Sequence, residues 1–477
     1  AENGGITDDR YITDPLEMAE GERTYDPDNI PTIMDRTWNR NENWNFYLTH
    51  RYSLGFYRDV EPDTTQANTS ADTTTVEDLR EFVPVTSFIH TAEVNTNEHS
   101  FISYQEPSKY YLHNYMPYDS LDKTTYLSVK NTFAIATQEG FSKWAQAGLT
   151  AFITHEYRRF SLPDTLIGST REYRHKYTEN VLSVGGRLLR TQGRTLHYDV
   201  TGETVIAGDD LGQFSIEGRG DLNFRLFKDT VRLDVHAYMK NLNPAFYFRH
   251  YHSHHYWWDN DNLSKEFRTR IIGGLTLEHT QTKLSAGVEN IKNYTYLANT
   301  SVPVTNSSGD ITGFKNNASV LQHSGNIQVF TAMLQQKLKF GILHFDGEVV
   351  YQKSSEQSIL PLPELSAYGN LYIHAGLVKN ILQVSLGADV RYFTKYNAPD
   401  YSPVIGQFYL QNPENQIAIG GHPMINVYAN LHWKRTRIFL MMYNVNQNSG
   451  NSRYFLAPHY PISPRILKLG ISWNFFD

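Results

Sequence analysis

Apolar and polar residues alternate with a period of two along most of the chain after residue 44. In the segment 214–226 the even-numbered positions are apolar or glycine, and the odd-numbered positions are polar or charged. The segments 231–240 and 382–392 repeat this alternation. Such alternation is typical of β-strands with one apolar and one polar face. These runs are at least ten residues long, whereas soluble strands average ~5–6 residues and tilted membrane strands need ~9–11.

Short polar breaks and long polar loops follow one another between these runs. The short breaks include 192–194, 227–230 and 379–380, and the long loops include 243–265, 300–322 and 397–421. Short turns that alternate with long loops are typical of an up-and-down membrane barrel. The predicted fold class is therefore all-β, a transmembrane antiparallel up-and-down β-barrel.

Counting the runs predicts about 18 strands, the first over 45–59 and the last over 465–476. The count includes separate strands at 83–94 and 99–106, with a turn at 96–98 between them. Sixteen strands is the alternative, because the run 99–106 is short. An even number places both termini at the rim of the short turns, as in bacterial single-chain barrels.

A soluble β-sandwich or propeller would also contain many strands and turns. In this chain, however, one strand face is apolar and the other carries charged side chains along most strands. Burying the charged face in a soluble core would cost several kcal/mol for each unpaired charge. A membrane barrel avoids that cost, because its apolar face meets lipid and its charged face meets a water-filled lumen.

The composition excludes further classes of protein. The 477 residues include no cysteine, so disulfide bonds and zinc–thiolate sites are absent. The mean hydropathy is −0.49, and no stretch approaches the ~18–20 apolar residues of a membrane helix. Low hydropathy is what a barrel shows when half of each strand faces water.

The net charge of −7 is concentrated at the start of the chain. Residues 1–36 contain ten acidic and three basic residues, so the remaining chain is balanced at 40 of each sign. This predicts an acidic N-terminal periplasmic segment over 1–40 and a barrel over 41–477, with the signal peptide already removed. A neutral body also lacks the basic surface of a nucleic-acid-binding protein.

The last predicted strand carries an ordered set of residues. Lys468, Gly470, Trp473 and Phe475 follow the order polar residue, glycine, aromatic, aromatic. This order resembles the C-terminal signal by which outer-membrane barrels are recognised for insertion, although two more residues follow Phe475 here. An ordinary terminal strand is the alternative interpretation.

The two ends of the predicted barrel also resemble a known family. The segments 44–57 (WNFYLTHRYSLGFY) and 469–477 (LGISWNFFD) are similar to the first and last strands of the porin family of Bacteroidota. The resemblance implies an outer-membrane β-barrel with a pore role. It supplies no catalytic or binding residues.

Charged residues on the polar face are the main candidates for lining a pore. The candidates are Glu217, Arg219, Asp221, Arg225, Arg232, Asp234, Lys240, Arg268, Arg270 and Glu278. If the turn at 227–230 sets the register, Glu217 lies opposite Lys240. Facing charges of opposite sign order water and select solutes in porin constrictions, and structural pairing that stiffens the wall is the alternative. Because neither sign dominates, the predicted ion selectivity is weak.

A histidine-rich stretch over 250–259 is the other local cluster. His252, His254 and His255 could ligate zinc, copper or nickel with help from Asp259 or Asp261. The favoured interpretation is an aromatic–histidine loop that packs at the membrane rim or over the pore mouth. No metal or other cofactor is therefore predicted.

The sequence offers little support for catalysis. It contains no cysteine, no Gly-x-Ser-x-Gly elbow and no Walker loop, so the protein is not expected to be an enzyme. A TonB-dependent receptor has 22 strands around a globular plug, and ~40 residues before the first strand are too few for a plug. Tyrosines such as Tyr110, Tyr111 and Tyr409 could stack on sugars, or belong to interfacial girdles.

The predicted function is an outer-membrane porin-like channel for passive diffusion of small hydrophilic solutes. The alternative is a non-conducting barrel subunit of a larger outer-membrane secretion or assembly complex. The expected partners are outer-membrane lipid, the barrel assembly machinery during insertion, and either a second copy or a larger complex. No nucleic-acid partner is expected.

Overall fold

The structure is a computed structural model of the chain. It describes residues 3–7, 30–59, 80–105, 110–116, 121–140, 147–165, 172–226, 229–379, 381–447 and 455–475. Across these residues, no helix is both long and apolar enough to cross a membrane.

Seventeen strands of the described residues form one sheet. They are β1 (Asp35–Asp59), β2 (Arg80–Gln105), β3 (Leu121–Thr137), β4 (Gly148–Thr165), β5 (Glu172–Arg190), β6 (Leu196–Gly208), β7 (Phe214–Leu226), β8 (Asp229–Leu242), β11 (Glu266–Leu277), β12 (Thr282–Asn299), β15 (Ala318–Phe340), β16 (Leu343–Ser354), β17 (Leu365–Val378), β18 (Leu382–Phe393), β21 (Met424–Trp433), β22 (Thr436–Tyr443) and β25 (Ile466–Trp473).

The loops contain the remaining elements. The short strands form hairpins: β9 (His250–His252) with β10 (Trp257–Asp259), β13 (Val302–Thr305) with β14 (Ile311–Lys315), β19 (Asp400–Ser402) with β20 (Gln407–Tyr409), and β23 (Phe455–Ala457) with β24 (Tyr460–Pro461). The helix α1 (Phe246–Arg249) precedes β9, and a 3-10 turn covers Pro413–Asn415.

Each strand of the sheet pairs antiparallel with the next one in chain order, from β1 through to β25. The predicted all-β up-and-down order is therefore confirmed. Large apolar side chains on one face stay exposed, including Ile153, Leu188, Ile216, Val235, Ile271, Leu284, Leu371 and Leu386. This is the face that meets lipid, because burial in a soluble core would have covered it.

The sheet has seventeen strands in the described residues rather than the eighteen predicted. The predicted turn at 96–98 lies inside β2, where Thr96 pairs with Trp44 on one side and with Leu127 on the other. Asn97 also donates to the side-chain oxygens of Asn41 and Asn43 at 2.7 and 2.5 Å. Ladders on both sides and these amide contacts hold the polar stretch extended, which no local pattern could reveal.

The odd number of strands changes where the described N-terminal residues lie. Asp35 pairs with Gln105, at the end of β2 that leads into the long 106–120 loop, so β1 begins at the long-loop rim. The backbone N–H of Ile6 donates to the carbonyl of His459 in another long loop at 2.9 Å. The prediction that both termini lie at the short-turn rim is therefore wrong for the N-terminus.

The C-terminal strand does end at the short-turn rim, because Trp473 pairs with Thr436 beside the 434–435 turn. Most of the predicted acidic segment 1–40, namely residues 1, 2 and 8–29, lies outside the described residues. The described residues 3–7 of this segment pack closely against the loop that contains His459. Gly5 has a φ of +87°, and a Cβ there would lie 2.6 Å from that of His459.

β1 and β25 are the edges of the sheet, and no ladder joins them within the described residues. Because the strand number is odd, these two edge strands run in the same direction. An unpaired edge in lipid leaves backbone N–H and C=O groups unsatisfied at several kcal/mol each. Closing the barrel therefore requires parallel pairing of β25 with β1 or one added strand.

Candidate functional site: the charged interior wall and the loop inserted above it

The polar face of β5 to β12 carries neighbouring side chains of opposite charge. Arg187 donates to both carboxylate oxygens of Asp199, from Nε and Nη2, at 2.8 and 2.7 Å. Arg268 bonds Glu266 and lies 3.7 Å from Glu289. Since the other face is apolar and exposed, these charges belong to the interior wall.

Glu217 is the centre of the largest group of predicted pore residues. Its carboxylate accepts hydrogen bonds from Lys240 at 3.1 Å and from Arg219 at 3.0 Å, and it lies 3.0 Å from Nε2 of His236. The directly opposite residue is Tyr238, and Lys240 lies diagonally across the ladder. The predicted ion pair therefore exists, although the register is displaced by two residues from the one expected.

Asp221 is the centre of a second group on the same wall. It contacts His197 at 2.9 Å, accepts from Asn223 at 2.7 Å and lies 3.5 Å from Arg232. Together with Arg219 and His236 of the Glu217 group, it lines a recess of about 640 Å³ near the short-turn rim. The wall of this recess combines both signs of charge, so it suits water and polar solutes.

The other predicted pore residues are less closely grouped. Asp234 lies 3.9 Å from Lys283, and Arg270 is half-buried beside Tyr238. Arg225 and Glu278 are exposed near the short turns. The structure thus brings most of the ten predicted residues onto one wall but leaves these two at its rim.

Arg158 forms a third charged group, which the sequence analysis did not identify. It donates to Glu156 at 2.8 Å and to Asp210 at 2.7 Å, and it lies 3.4 Å from Glu179. Glu179 and Asp210 are almost fully buried. Glu156 and Arg158 are two residues apart in β4, so a period of two could have indicated their shared face, but Glu179 and Asp210 come from other parts of the chain.

The loop 243–265, here called the inserted loop, connects to this group and crosses the interior. Arg249 at the end of α1 donates to Glu179 at 2.6 Å. In the same helix, Phe246 stacks on Phe160 of β4 with ring centroids 3.6 Å apart. These contacts fold the loop inward onto β4 and β5, so it packs inside the barrel and not at the membrane rim.

The far side of the inserted loop contacts other loops. The hydroxyl of Tyr251 donates to the carbonyl of Val404 at 3.3 Å, and that of Tyr256 donates to Asn316. Burial raises the pKa of Tyr256 far above its ordinary value, so this hydroxyl stays protonated and remains a donor. The inserted loop is therefore held between the wall of β3 to β5 and the loops around Asn316 and Val404.

The three predicted histidines are buried in this loop, with exposed fractions of 3% for His252, 5% for His254 and 2% for His255. His252 contacts Asp259 at 3.1 Å, and His254 bonds Asp122 of β3. His255 stacks on Tyr111, with ring centroids 3.7 Å apart. The three imidazoles therefore contact three different residues.

The carboxylate of Asp259 is shared by two imidazoles of the loop. Burial alone would raise its pKa, but hydrogen bonds from His250 and His252 outweigh burial and lower it. Within the described residues, no three histidine, aspartate or glutamate side chains converge as a metal site would require. His252, His254 and His255 are thus held by separate contacts within the packed loop.

Asp122 holds the inserted loop, although no sequence pattern indicated this contact. It is buried at the start of β3, and its partner His254 is 132 positions away in the chain. It also accepts from the backbone N–H of His254 at 2.9 Å. Two bonds from one carboxylate anchor the tip of the inserted loop to the wall.

Replacing Asp122 with alanine should loosen the inserted loop. Each lost hydrogen bond to a charged group is worth about 1.5–3 kcal/mol, so we expect amide exchange in 250–259 to accelerate at least about tenfold. Hydrogen-exchange mass spectrometry measures this. Asp310→Ala, at the exposed tip of the β13–β14 hairpin, is the matched control and should leave this segment unchanged. Equal exchange in both variants would contradict the anchoring role.

Replacing Glu217 with glutamine should shift ion selectivity toward anions. The change leaves Lys240 and Arg219 without their shared countercharge. Unbalanced positive charge on the wall of a narrow pore attracts anions. The reversal potential of a planar bilayer in a salt gradient reports the shift. Glu414→Gln, in the 3-10 turn of a surface loop, is the control. An unchanged reversal potential for Glu217→Gln would place this residue away from the ion path.

The predicted C-terminal residues form the last strand and its end. Gly470 pairs with Phe439 of β22, and a Cβ at this position would lie 2.1 Å from the phenylalanine ring. Lys468 lies 4.6 Å from the ring centre of Tyr443. Trp473 and Phe475 stack in parallel, 5.8 Å apart, and both are exposed. Glycine is therefore needed at position 470 for packing, whatever its role in insertion.

The geometry can be compared with known proteins. The model of the family described as "Putative porin" matches residues 1–477. No curated protein matches the chain.

Many solved structures resemble the fold, and three of them are named here. The siderophore receptor PirA from Acinetobacter baumannii aligns with a TM-score of 0.58 at 10% identity, over 92% of this chain and 63% of that one. A variant of the ferric enterobactin receptor PfeA from Pseudomonas aeruginosa gives 0.56 at 12% identity, over 91% and 62%. The copper transporter OprC gives 0.56 at 10% identity, over 92% and 66%.

This chain spans less than two thirds of the length of these transport proteins. At such identities the likeness shows the fold alone, which is an outer-membrane β-barrel. The whole-chain family match, with the antiparallel barrel and its charged interior, shows that this chain belongs to the family described as "Putative porin", as an outer-membrane β-barrel with a transport-related role.

Proposed function

We propose that this protein is a channel for passive diffusion of small hydrophilic solutes across the outer membrane. The observation that carries the proposal is the interior wall of β5 to β12, where charges of both signs surround a recess of about 640 Å³. Such a wall keeps water and polar solutes in the lumen, because fixed charges replace part of their hydration. The paired signs predict weak ion selectivity.

The narrowest part of the proposed path is the inserted loop. It contacts β3, β4 and β5 on one side and the segments around Asn316 and Val404 on the other. Solutes would pass beside this loop from the long-loop rim to the charged recess. We propose that the long loops face the outside of the cell and the short turns face the periplasm.

The second candidate function is a non-conducting barrel subunit of a larger outer-membrane complex. The same inserted loop supports it, because a segment with buried contacts on both sides of the interior could close the lumen. In that case the long loops, and not the lumen, would carry the function by docking a partner.

Single-channel recording of the purified protein in planar bilayers separates the two functions. A diffusion channel should show discrete conductance steps with weak selectivity. A variant lacking residues 1–34, which leaves β1 intact, tests whether the N-terminal segment limits the current. Silence of both proteins, with partner proteins copurifying in stoichiometric amounts, would overturn the channel and favour the complex subunit.

A further inference from the structure

A second cavity lies at the long-loop end, on the opposite side of the inserted loop from the Arg158 group. Its volume is about 510 Å³, within the range of ~300–1,000 Å³ typical of small-molecule sites. It is bounded by the inserted loop, the long-loop ends of β1, β2 and β12, and the β19–β20 hairpin.

The lining of this cavity contains no Asp, Glu, Lys or Arg. The recess lower on the wall, by contrast, is lined by side chains of both charges. A charged solute in the upper cavity would lose hydration without gaining a countercharge, which is costly. The cavity therefore favours an uncharged solute.

Eight of the 23 residues that line the cavity are aromatic. Tyr294 and Tyr296 of β12 lie nearly parallel, with ring centroids 5.8 Å apart and planes 14° apart. Trp258 of the inserted loop and Phe408 of the β19–β20 hairpin also line the cavity. Phe408 is 59% exposed although it lies inside the ring of loops. Flat exposed rings of this kind pack against the C–H faces of another ring.

The rest of the lining consists of aliphatic side chains, such as Leu297, Ile359 and Leu360, and of neutral hydrogen-bonding groups. The neutral groups include the side chains of Asn41, Asn97, His99, Thr124, Thr295 and Gln407. Amide, imidazole and hydroxyl groups both donate and accept, as do the hydroxyls of a polyol. Asn97 already donates to Asn41, and Thr295 accepts from Gln322. The side chains of Asn97, Asn41 and Thr295 retain further donor or acceptor capacity that a ligand hydroxyl could satisfy.

We propose that this cavity binds a neutral saccharide, with the sugar rings stacked on Phe408 and Tyr296 and their hydroxyls bonded to the amide and imidazole groups. The inference rests on the proposed channel function and specifies its solute class. The position between the long loops and the inserted loop makes the cavity the first binding point on the path inward.

Isothermal titration calorimetry of the detergent-purified protein with maltose tests the site without requiring conductance. We expect saturable binding that Phe408→Ala weakens by about threefold to tenfold, the range expected for one lost aromatic contact. Phe340→Ala is the matched control, because Phe340 is 67% exposed at the short-turn end of β15, far from the cavity. Glucose 6-phosphate, which is anionic, should bind much more weakly than maltose.

Three results would overturn the site: no heat of maltose binding, equal affinity of the Phe408→Ala and Phe340→Ala variants, or glucose 6-phosphate binding as tightly as maltose. Bilayer recording with added maltose then links the site to passage, since a bound sugar should reduce the current in the wild type more than in Phe408→Ala. Binding by calorimetry in a protein that conducts no current would reject the channel function while retaining the saccharide site.

Discussion

Replacing residues 250–259 with a glycine–serine segment of equal length should raise single-channel conductance several-fold. The replacement removes the β9–β10 hairpin and with it the contacts of Tyr251, His254 and Tyr256 that hold the inserted loop across the interior. Because the narrowest segment of a pore dominates its resistance, removing this hairpin opens the path to the charged recess. Planar bilayer recording in symmetric salt measures the change.

The matched control is the same replacement at residues 303–312, which form the exposed tip region of the β13–β14 hairpin. This variant should conduct as the wild type does. Retention of the folded band in unheated electrophoresis would show that each variant keeps its barrel. Equal conductance of the two variants would mean that the inserted loop is not the constriction.

Replacing Arg158 with methionine should destabilise the barrel by about 3 kcal/mol, because removing one partner from a buried ion pair leaves uncompensated charge. Asp210 would remain almost fully buried without the cation that bonds it, Glu179 would keep Arg249, and Glu156 would lose its closest cation. Methionine keeps much of the side-chain volume, so the effect reports charge rather than a cavity. Urea unfolding of the protein in detergent measures the loss.

Arg187→Met is the comparison for this effect. Arg187 also forms a bidentate pair, with Asp199, but both side chains are substantially exposed on the water-facing wall. Exposed pairs contribute at most about 1 kcal/mol. Similar losses for the two variants would show that the burial of Glu179 and Asp210 does not control the energetics of the Arg158 group.

The corrections to the predicted fold have one common cause. The polar stretch 96–98 was expected to be a turn, because Asn favours turns and both Asn and Glu are depleted in strands. In the structure this stretch is extended, since β1 and β3 pair with it on both sides. One merged strand makes the count odd, and the odd count moves the start of β1 to the long-loop rim.

Some features of the candidate site were also predicted from local patterns, and others were not. The charged face of β7 and β8 was predicted from the alternation in 214–226 and 231–240, and Glu217 does bond Lys240. The exact partner across the ladder is Tyr238, because the register depends on how the strands align along their whole length. The contact of Asp122 with His254 joins positions 132 residues apart, and no local signal links them.

Local sequence patterns were enough to predict that the strands have one apolar and one charged face, that they are long enough to cross a membrane, and that they follow one another in an up-and-down order. These properties are local, because side chains alternate at every residue of a strand and turns break the pattern where they occur. The number of strands, the rim at which β1 begins and the inward folding of the histidine-rich loop became known from the three-dimensional structure. Those features depend on contacts between distant segments, and the free energy of such contacts cannot be predicted from any single stretch of the chain.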